Sequence, residues 1–205
     1  MFVLRLHERD EEILLDIKNN LNCGYKKKTQ KNMMDYIISD KKNLYNIIIP
    51  IFEKYPLLTK KYYQYEEWKN LLKKRILNKE FIRIRNPYKL TANVENSIEE
   101  IKIKPYFKNW LIGFIQGDGS FNRRKDGKRI IPEFGIAQKY DNLVLEAIRQ
   151  TLGINSKILV RKCGTIYVLQ TKSKKDICKI YEFIKNSEVN LKSYHLKRFN
   201  IWLQN

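Results

Sequence analysis

The chain has 205 residues, enough for one large domain or two small ones, and 43% of them are hydrophobic, which excludes a disordered chain. Forty-one Lys and Arg against 22 Asp and Glu leave a formal charge of +19, far more than solubility needs, so a polyanionic partner is expected, nucleic acid first. No apolar run reaches the roughly 18 residues of a membrane span and the basic residues are spread along the chain, so no membrane partner is expected.

In chain order, the opening "MFVLRLHERDEEILLDIKNNL" carries five acids by Asp16, which suits neither a signal peptide nor a transit peptide. The segments "RDEEILLDIKNNLNCG", "YIISDKKNLYNIIIPIFEK" and "LLTKKYYQYEEW" follow. Residues 78–105 have weak periodicity and two prolines and read as a linker between a first unit, 1–77, and a second, 106–205. Tyr106 to Gly117 is apolar nearly all round, as expected for a helix buried between two layers. Ser120 to Arg124 and Arg129 to Gln138 read as a hairpin, with Asp126 and Gly127 supplying the positive φ angles of a tight turn. "DNLVLEAIRQTLG" has helical spacing with Gly153 as C-cap. "SKILVRKCGTIYVLQT" gives two short strands about Cys163-Gly164, and two helices, "KKDICKIYEFIKN" and "SYHLKRFNIWLQN", close the chain. The second unit is thus α+β with a four-stranded antiparallel sheet.

The first unit repeats most of this pattern. Asp10 faces Asp141, Ile17 faces Ile148 and Leu21 faces Leu152; the intervals Asp10 to Trp68 and Asp141 to Trp202 are 58 and 61 residues. Nothing before Phe2 corresponds to Trp110 to Pro132, so the first unit is expected to begin inside the second strand of its repeat, without the apolar helix and its acid. Cys23, Cys163 and Cys178 are odd in number and far apart, with no CxxC pair, and read as reduced small residues.

Two features of "LIGFIQGDG", Leu111 to Gly119, carry chemistry. Gly113 and Gly117 lie four apart on one helix face and allow a second helix to approach closely. Asp118 at the helix end faces the negative end of the helix dipole, so it gains no stability there. A hard cation that neutralises it is the better explanation, and oxygen ligands with retained water suit Mg²⁺.

With Trp110, Ser120 and Phe121 around it, this stretch resembles the LAGLIDADG motif of homing endonucleases and intron maturases. The resemblance extends through "FGIAQKYDNLVLEAIRQTLG", covering about residues 105–204 fully and 2–75 in part. It implies two tandem αββαββα units, the first truncated at its N-terminus, whose antiparallel sheets form a saddle on double-stranded DNA. It further implies that Gly113 and Gly117 form a helix-helix interface. Asp118, with Gly117, would hold the metal, paired in the family with a second carboxylate from the other unit. Gln138 would orient water near the metal; its counterpart in the first unit is Leu6 or His7, depending on a one-residue indel. Lys61 matches the family lysine that stabilises charge on the scissile phosphate, and His195 stands at the matching place in the second unit.

Asn122, Arg124, Lys128, Lys157, Arg161 and Lys162 in the second unit, and Lys26, Lys27, Lys28, Gln30 and Lys31 in the first, are candidate DNA contacts along strands. The expected activity is site-specific cleavage of duplex DNA at an intron insertion site. The alternatives are an RNA maturase acting on intron RNA and a DNA-binding remnant that cannot cut. An upstream segment or second chain would supply the missing helix. Heavy use of Lys, Asn, Ile and Tyr fits an AT-rich, organellar genome, mitochondria first.

Overall fold

In the computed structural model, which describes residues 1–76 and 97–204, β1 (Phe2–His7) runs through a 3-10 turn (Glu8–Asp10) into α1 (Glu11–Leu21). Asp10 stands at the N-cap position, and Glu11 and Glu12 in the first turn suit the positive end of the helix dipole. Asn22, left-handed at φ 49°, ends the helix. A Cβ at Gly24 would lie 2.6 Å from the Ile37 carbonyl oxygen, so the chain can turn into β2 (Tyr25–Lys28) only through glycine. With β3 (Met33–Ile38) this gives a three-stranded antiparallel sheet, order β1-β3-β2. Phe2, Leu4 and Leu6 pack with Leu14, Met34, Tyr36 and Ile38 on one face, which leaves Val3, Arg5 and His7 on the other. A helical run follows: α2 (Lys41–Asn43), a π turn (Leu44–Ile48) and α3 (Ile49–Lys54). Pro50 has no N–H to give, and the wider turn absorbs this as the Ile49 N–H reaches back to Leu44 O. Leu72 and the half-buried Trp68 of α4 (Lys61–Ile76) close the core.

The chain divides into two units, Met1–Val94 and Glu95–Asn205. The second opens on α5 (Ile98–Lys102), capped by Ser97, whose Oγ accepts from the Glu100 N–H at 3.2 Å. This turn of helix lies within the stretch expected to be linker. It forms because Ile101 is buried and Lys102 reaches Gln150 at 3.2 Å. Most of the remaining expected linker falls outside the described residues.

α6 (Phe107–Asp118) leads into β4 (Gly119–Asp126) and β5 (Arg129–Lys139), followed by α7 (Asn142–Thr151), β6 (Leu159–Val160), β7 (Ile166–Thr171), α8 (Lys174–Lys185) and α9 (Ser193–Trp202). The sheet is antiparallel, order β4-β5-β7-β6. At the hairpin Asp126 pairs with Arg129, and only Gly127 (φ 59°) is left-handed. The turn therefore has the type II′ pattern and Asp126 stays in the strand, contrary to the expectation of positive φ at both residues. Gly153 (φ 64°) ends α7 as expected, with Ile154 N–H donating to Arg149 O at 2.9 Å and Gly153 N–H to Gln150 O at 3.1 Å, a Schellman closure. Trp202, 1% exposed, anchors the core: the Phe121 ring lies 5.0 Å from it and 5.7 Å from Phe134.

The repeat is visible in the register. Ile38 and Thr171 each precede by two residues the N-cap of the next helix, Asp40 and Ser173, and they pair with Phe2 and Phe134. Counting along the strands from there, Arg5 corresponds to Ala137 and Leu6 to Gln138. Leu6 is packed into the core, so the first unit places no polar group at the Gln138 position, and His7 falls on the opposite face. The extra residue lies in the 3-10 turn before α1.

Candidate active site

Asp118 is the last residue of α6, and Gly119 starts β4 directly at φ −75°, ψ 153°. Glycine is required here by crowding and not by a left-handed angle, because a Cβ would lie 2.6 Å from Ile115 O, which already accepts from the Gly119 N–H. The junction thus aims Asp118 off the helix foot without an intervening loop. Its carboxylate is exposed, and Oδ2 accepts a 2.8 Å hydrogen bond from Gln138 Nε2 at the end of β5. Oδ1 has no protein donor among the described residues. Two sequence-expected residues, Asp118 and Gln138, therefore meet.

The third, His195, arrives one residue away. Its Nε2 lies 3.0 Å from Gly119 O, its ring packs edge-on to Phe121 at 6.5 Å, and Nδ1 is buried with no hydrogen-bond partner among the described residues. A proton on Nε2 shared with the carbonyl is the arrangement that satisfies this geometry, so the ring holds the α6–β4 junction and presents no free nitrogen to a substrate. It is one of three clasps spaced three residues apart. Lys192 N–H donates to Gln116 Oε1 at 2.8 Å, and Arg198 donates to Phe121 O through Nε at 2.8 Å and through Nη2, and to Asn122 Oδ1 at 2.9 Å. Gln116 and Arg198 were not singled out from sequence; only the interval from His195 to Arg198, one turn of α9, was an available signal, because the Lys192 bond is made by its backbone N–H.

The helix leading to Asp118 departs from expectation. It buries Phe107, Leu111, Ile112 and Ile115, whereas Gly113 and Gly117 are exposed and Trp110 and Phe114 half-buried. Trp110, Gly113, Phe114 and Gly117 stand at i, i+3, i+4 and i+7, one face. A Cβ at either glycine would meet no atom within 4 Å.

The donor set suits a hard cation. The Asp118 carboxylate, with backbone carbonyls such as that of Gly117 at the helix end, offers oxygen alone, as Mg²⁺ prefers. No group of three or more His, Cys, Asp or Glu side chains that could hold a metal exists among the described residues, so the second unit presents one acid and not a closed metal cage. Cys23, Cys163 and Cys178 are free. Hydrogen bonds around Cys163, first that from Thr165 Oγ1 at 3.4 Å, lower its thiol to about 7.

Asn122 and Arg124 share the face of β4 opposite the buried Phe121, and both are exposed. Lys128 lies in the hairpin turn, and Lys157, Arg161 and Lys162 flank β6, all exposed and none with an acidic partner among the described residues. Arg198 holds the Asn122 carboxamide oxygen, which leaves its NH₂ outward. In the first unit Gln30 and Lys31 are exposed between β2 and β3. Lys28 departs from the expected role: it pairs in register with the core residue Met34 and lies 2.7 Å from Glu8, on the helix side. Strand parity puts Lys27 on the open face instead, beside Asp35. Lys61 is the exposed first residue of α4, where a cation meets the positive end of the helix dipole and gains no stability.

A family model described as LAGLIDADG endonuclease matches residues 1–72 and 111–205. A "probable intron-encoded endonuclease Cox1-I1b" of Schizosaccharomyces pombe is 34% identical over 206 residues, covering 93% of this chain and 52% of that protein. A "probable intron-encoded endonuclease 2" of Neurospora crassa is 28% identical, covering 89% and 44%. An "uncharacterized mitochondrial protein RF1" of Saccharomyces cerevisiae is 37% identical, covering 71% of this chain and 31% of its own length. The chain therefore spans about half or less of these curated relatives. Among solved structures, I-SmaMI bound to uncleaved DNA target in the presence of calcium ions shares the fold at a TM-score of 0.77 and 20% identity, over 98% of this chain and 77% of that one.

Proposed function

The chain belongs to the LAGLIDADG endonuclease family, and we propose that it is a site-specific endonuclease hydrolysing phosphodiester bonds of double-stranded DNA with Mg²⁺. The observation that carries this is the exposed Asp118 carboxylate at the foot of α6, oriented by Gln138 at 2.8 Å. An acid at the C-terminal end of a helix faces the negative end of the dipole and gains no stability there unless a cation sits on it.

Asp118, with the Gly117 carbonyl beside it, would hold the ion. When bound, the metal lowers the pKa of water and stabilises charge on the leaving oxygen. The protein's own residues do the rest. Gln138 fixes the carboxylate rotamer and keeps its other NH₂ hydrogen for a water. His195, Lys192 and Arg198 clamp the α6–β4 junction, which makes them positioning residues. Asn122, Arg124, Lys128, Lys157, Arg161 and Lys162, with Lys27, Gln30 and Lys31, bind and orient DNA. Lys61 supplies a cation for the phosphate. A second carboxylate comes from another helix of the α6 kind, from an upstream-encoded segment or another chain, seated on the Gly113–Gly117 face. The exposure of both glycines supports this seat, as does the greater length of the relatives. Mitochondrial expression fits the name of one relative, the mitochondrial protein RF1, and the residue usage.

A plasmid carrying the sequence of an uninterrupted intron insertion site, incubated with the chain and Mg²⁺, tests the reading. Nicked or linear product is expected, and supercoiled plasmid unchanged at every site tried would overturn it. Binding should fall about a thousandfold or more between 50 and 200 mM salt if roughly six to ten phosphates are contacted.

A further inference from the structure

One acid in the first unit is placed where a basic DNA-facing sheet should least tolerate it. Asp35 sits in the central strand β3, 4% exposed, on the face that carries no helices. Arg5 on β1 lies opposite it in register and grips it side-on: Nε to Oδ1 at 2.6 Å and Nη2 to Oδ2 at 2.7 Å. The Arg5 side chain remains 59% exposed. Lys27 pairs with Asp35 from the other side, so the row across the sheet reads Arg5, Asp35, Lys27.

The fork uses the Nε hydrogen and one Nη2 hydrogen. Both Nη1 hydrogens and the second on Nη2 remain along the outer edge, held in one plane over the middle of the sheet. Two parallel donors on a rigid edge match the N7 and O6 acceptors that guanine presents in the major groove. Together with the reading of the chain as a DNA-binding enzyme, on which this rests, the geometry points to Arg5 as a guanine-reading residue, buttressed by Asp35.

A purely structural role for the pair is disfavoured by the other unit. The corresponding row there is Ala137, Val168 and Leu159, paired in the same register. The same sheet position is therefore filled by apolar residues without an ion pair, and an ion pair whose arginine lies largely in solvent contributes little stability of its own. Hydrogen bonding from Arg5 holds the Asp35 carboxyl below the usual carboxylate range, so the fork persists at neutral pH. The acid also selects the ligand: with Asp35 behind it, the guanidinium is tied back from swinging to a phosphate. An RNA duplex is not the partner, since its deep, narrow major groove admits no side chains.

Site selection from randomised duplex DNA, with the full chain and with the double variant Arg5→Ala/Asp35→Val, tests this. The double variant reproduces two of the three residues of the apolar row, keeps Lys27, and leaves no lone buried charge. The wild type should select a G·C pair that the double variant no longer requires, with the other positions unchanged. Replacing that guanine by 7-deazaguanine, which lacks the N7 acceptor, should weaken wild-type binding by roughly 5- to 150-fold and leave the double variant unaffected. Identical selected sites for both proteins, or no effect of 7-deazaguanine, would overturn the role of Arg5 while leaving DNA recognition intact. Failure of the wild type to select any duplex sequence, or a preference for RNA, would overturn the functional reading along with it.

Discussion

Gln138 donates to Asp118 across 2.8 Å, tying the end of β5 to the foot of α6, two points 20 residues apart in the chain. If the bond sets the direction of the carboxylate, Gln138→Ala should lower cleavage by about 10- to 100-fold, the usual effect of removing a group that orients a ligand. Because Asp118 is exposed, thermal stability should barely change. Unaltered cleavage rates for the variant would leave the contact without a catalytic role.

The three glycines of the motif separate packing from partner docking. Gly119→Ala places a methyl 2.6 Å from Ile115 O and should destabilise the chain by about 1–3 kcal/mol in urea unfolding. Gly113→Ala and Gly117→Ala meet open space, so each should stabilise the helix by about 0.5–1 kcal/mol. Both should nevertheless impair cleavage, by blocking approach of a second helix. Full activity in both would remove the seat assigned to that helix.

Alkali should act on the first unit. Burial pushes Tyr36 and Tyr65 up to about 12, and their hydroxyls donate to Cys23 O at 2.8 Å and Ile49 O at 3.3 Å. A raised folded pKa means that the contribution is whole below the ordinary tyrosine value of about 10 and is lost as pH rises toward 12. Tyr36→Phe with Tyr65→Phe should flatten the loss of stability over that window, read by circular dichroism. An equally steep loss in the double variant would place the alkaline transition elsewhere.

The two repeat tryptophans should differ. Trp202 is 1% exposed within the Phe121, Phe134 and Phe199 cluster, and Trp202→Ala should cost about 3–5 kcal/mol. Trp68 is half-buried and Trp68→Ala should cost clearly less. Equal losses in denaturant titration would contradict the packing described for the second unit.

Much of this was legible in the sequence because it depends on local order. The Asp118 helix, the hairpin, the Gly153 stop and the repeated order of elements are written in residue spacing. What was hidden depends on register. Arg5 meets Asp35 across 30 residues, and which of Lys26, Lys27 and Lys28 reaches the open face is fixed by which residues pair with β3. The clasp of α9 on the α6–β4 junction spans 76 residues, beyond any periodicity. The exposure of Gly113 and Gly117 was masked by an apolar composition that described the helix but not which of its faces are covered.

The central claim is that Asp118 holds the ion that hydrolyses DNA. Nicking or cleavage of one target duplex, measured in Mg²⁺ beside binding of the same duplex, tests it with wild type and Asp118→Asn. Loss of cutting by about a thousandfold or more, with affinity changed only a few-fold, is the predicted result, since a carboxamide keeps the shape but not the charge. Cutting retained by Asp118→Asn would contradict it.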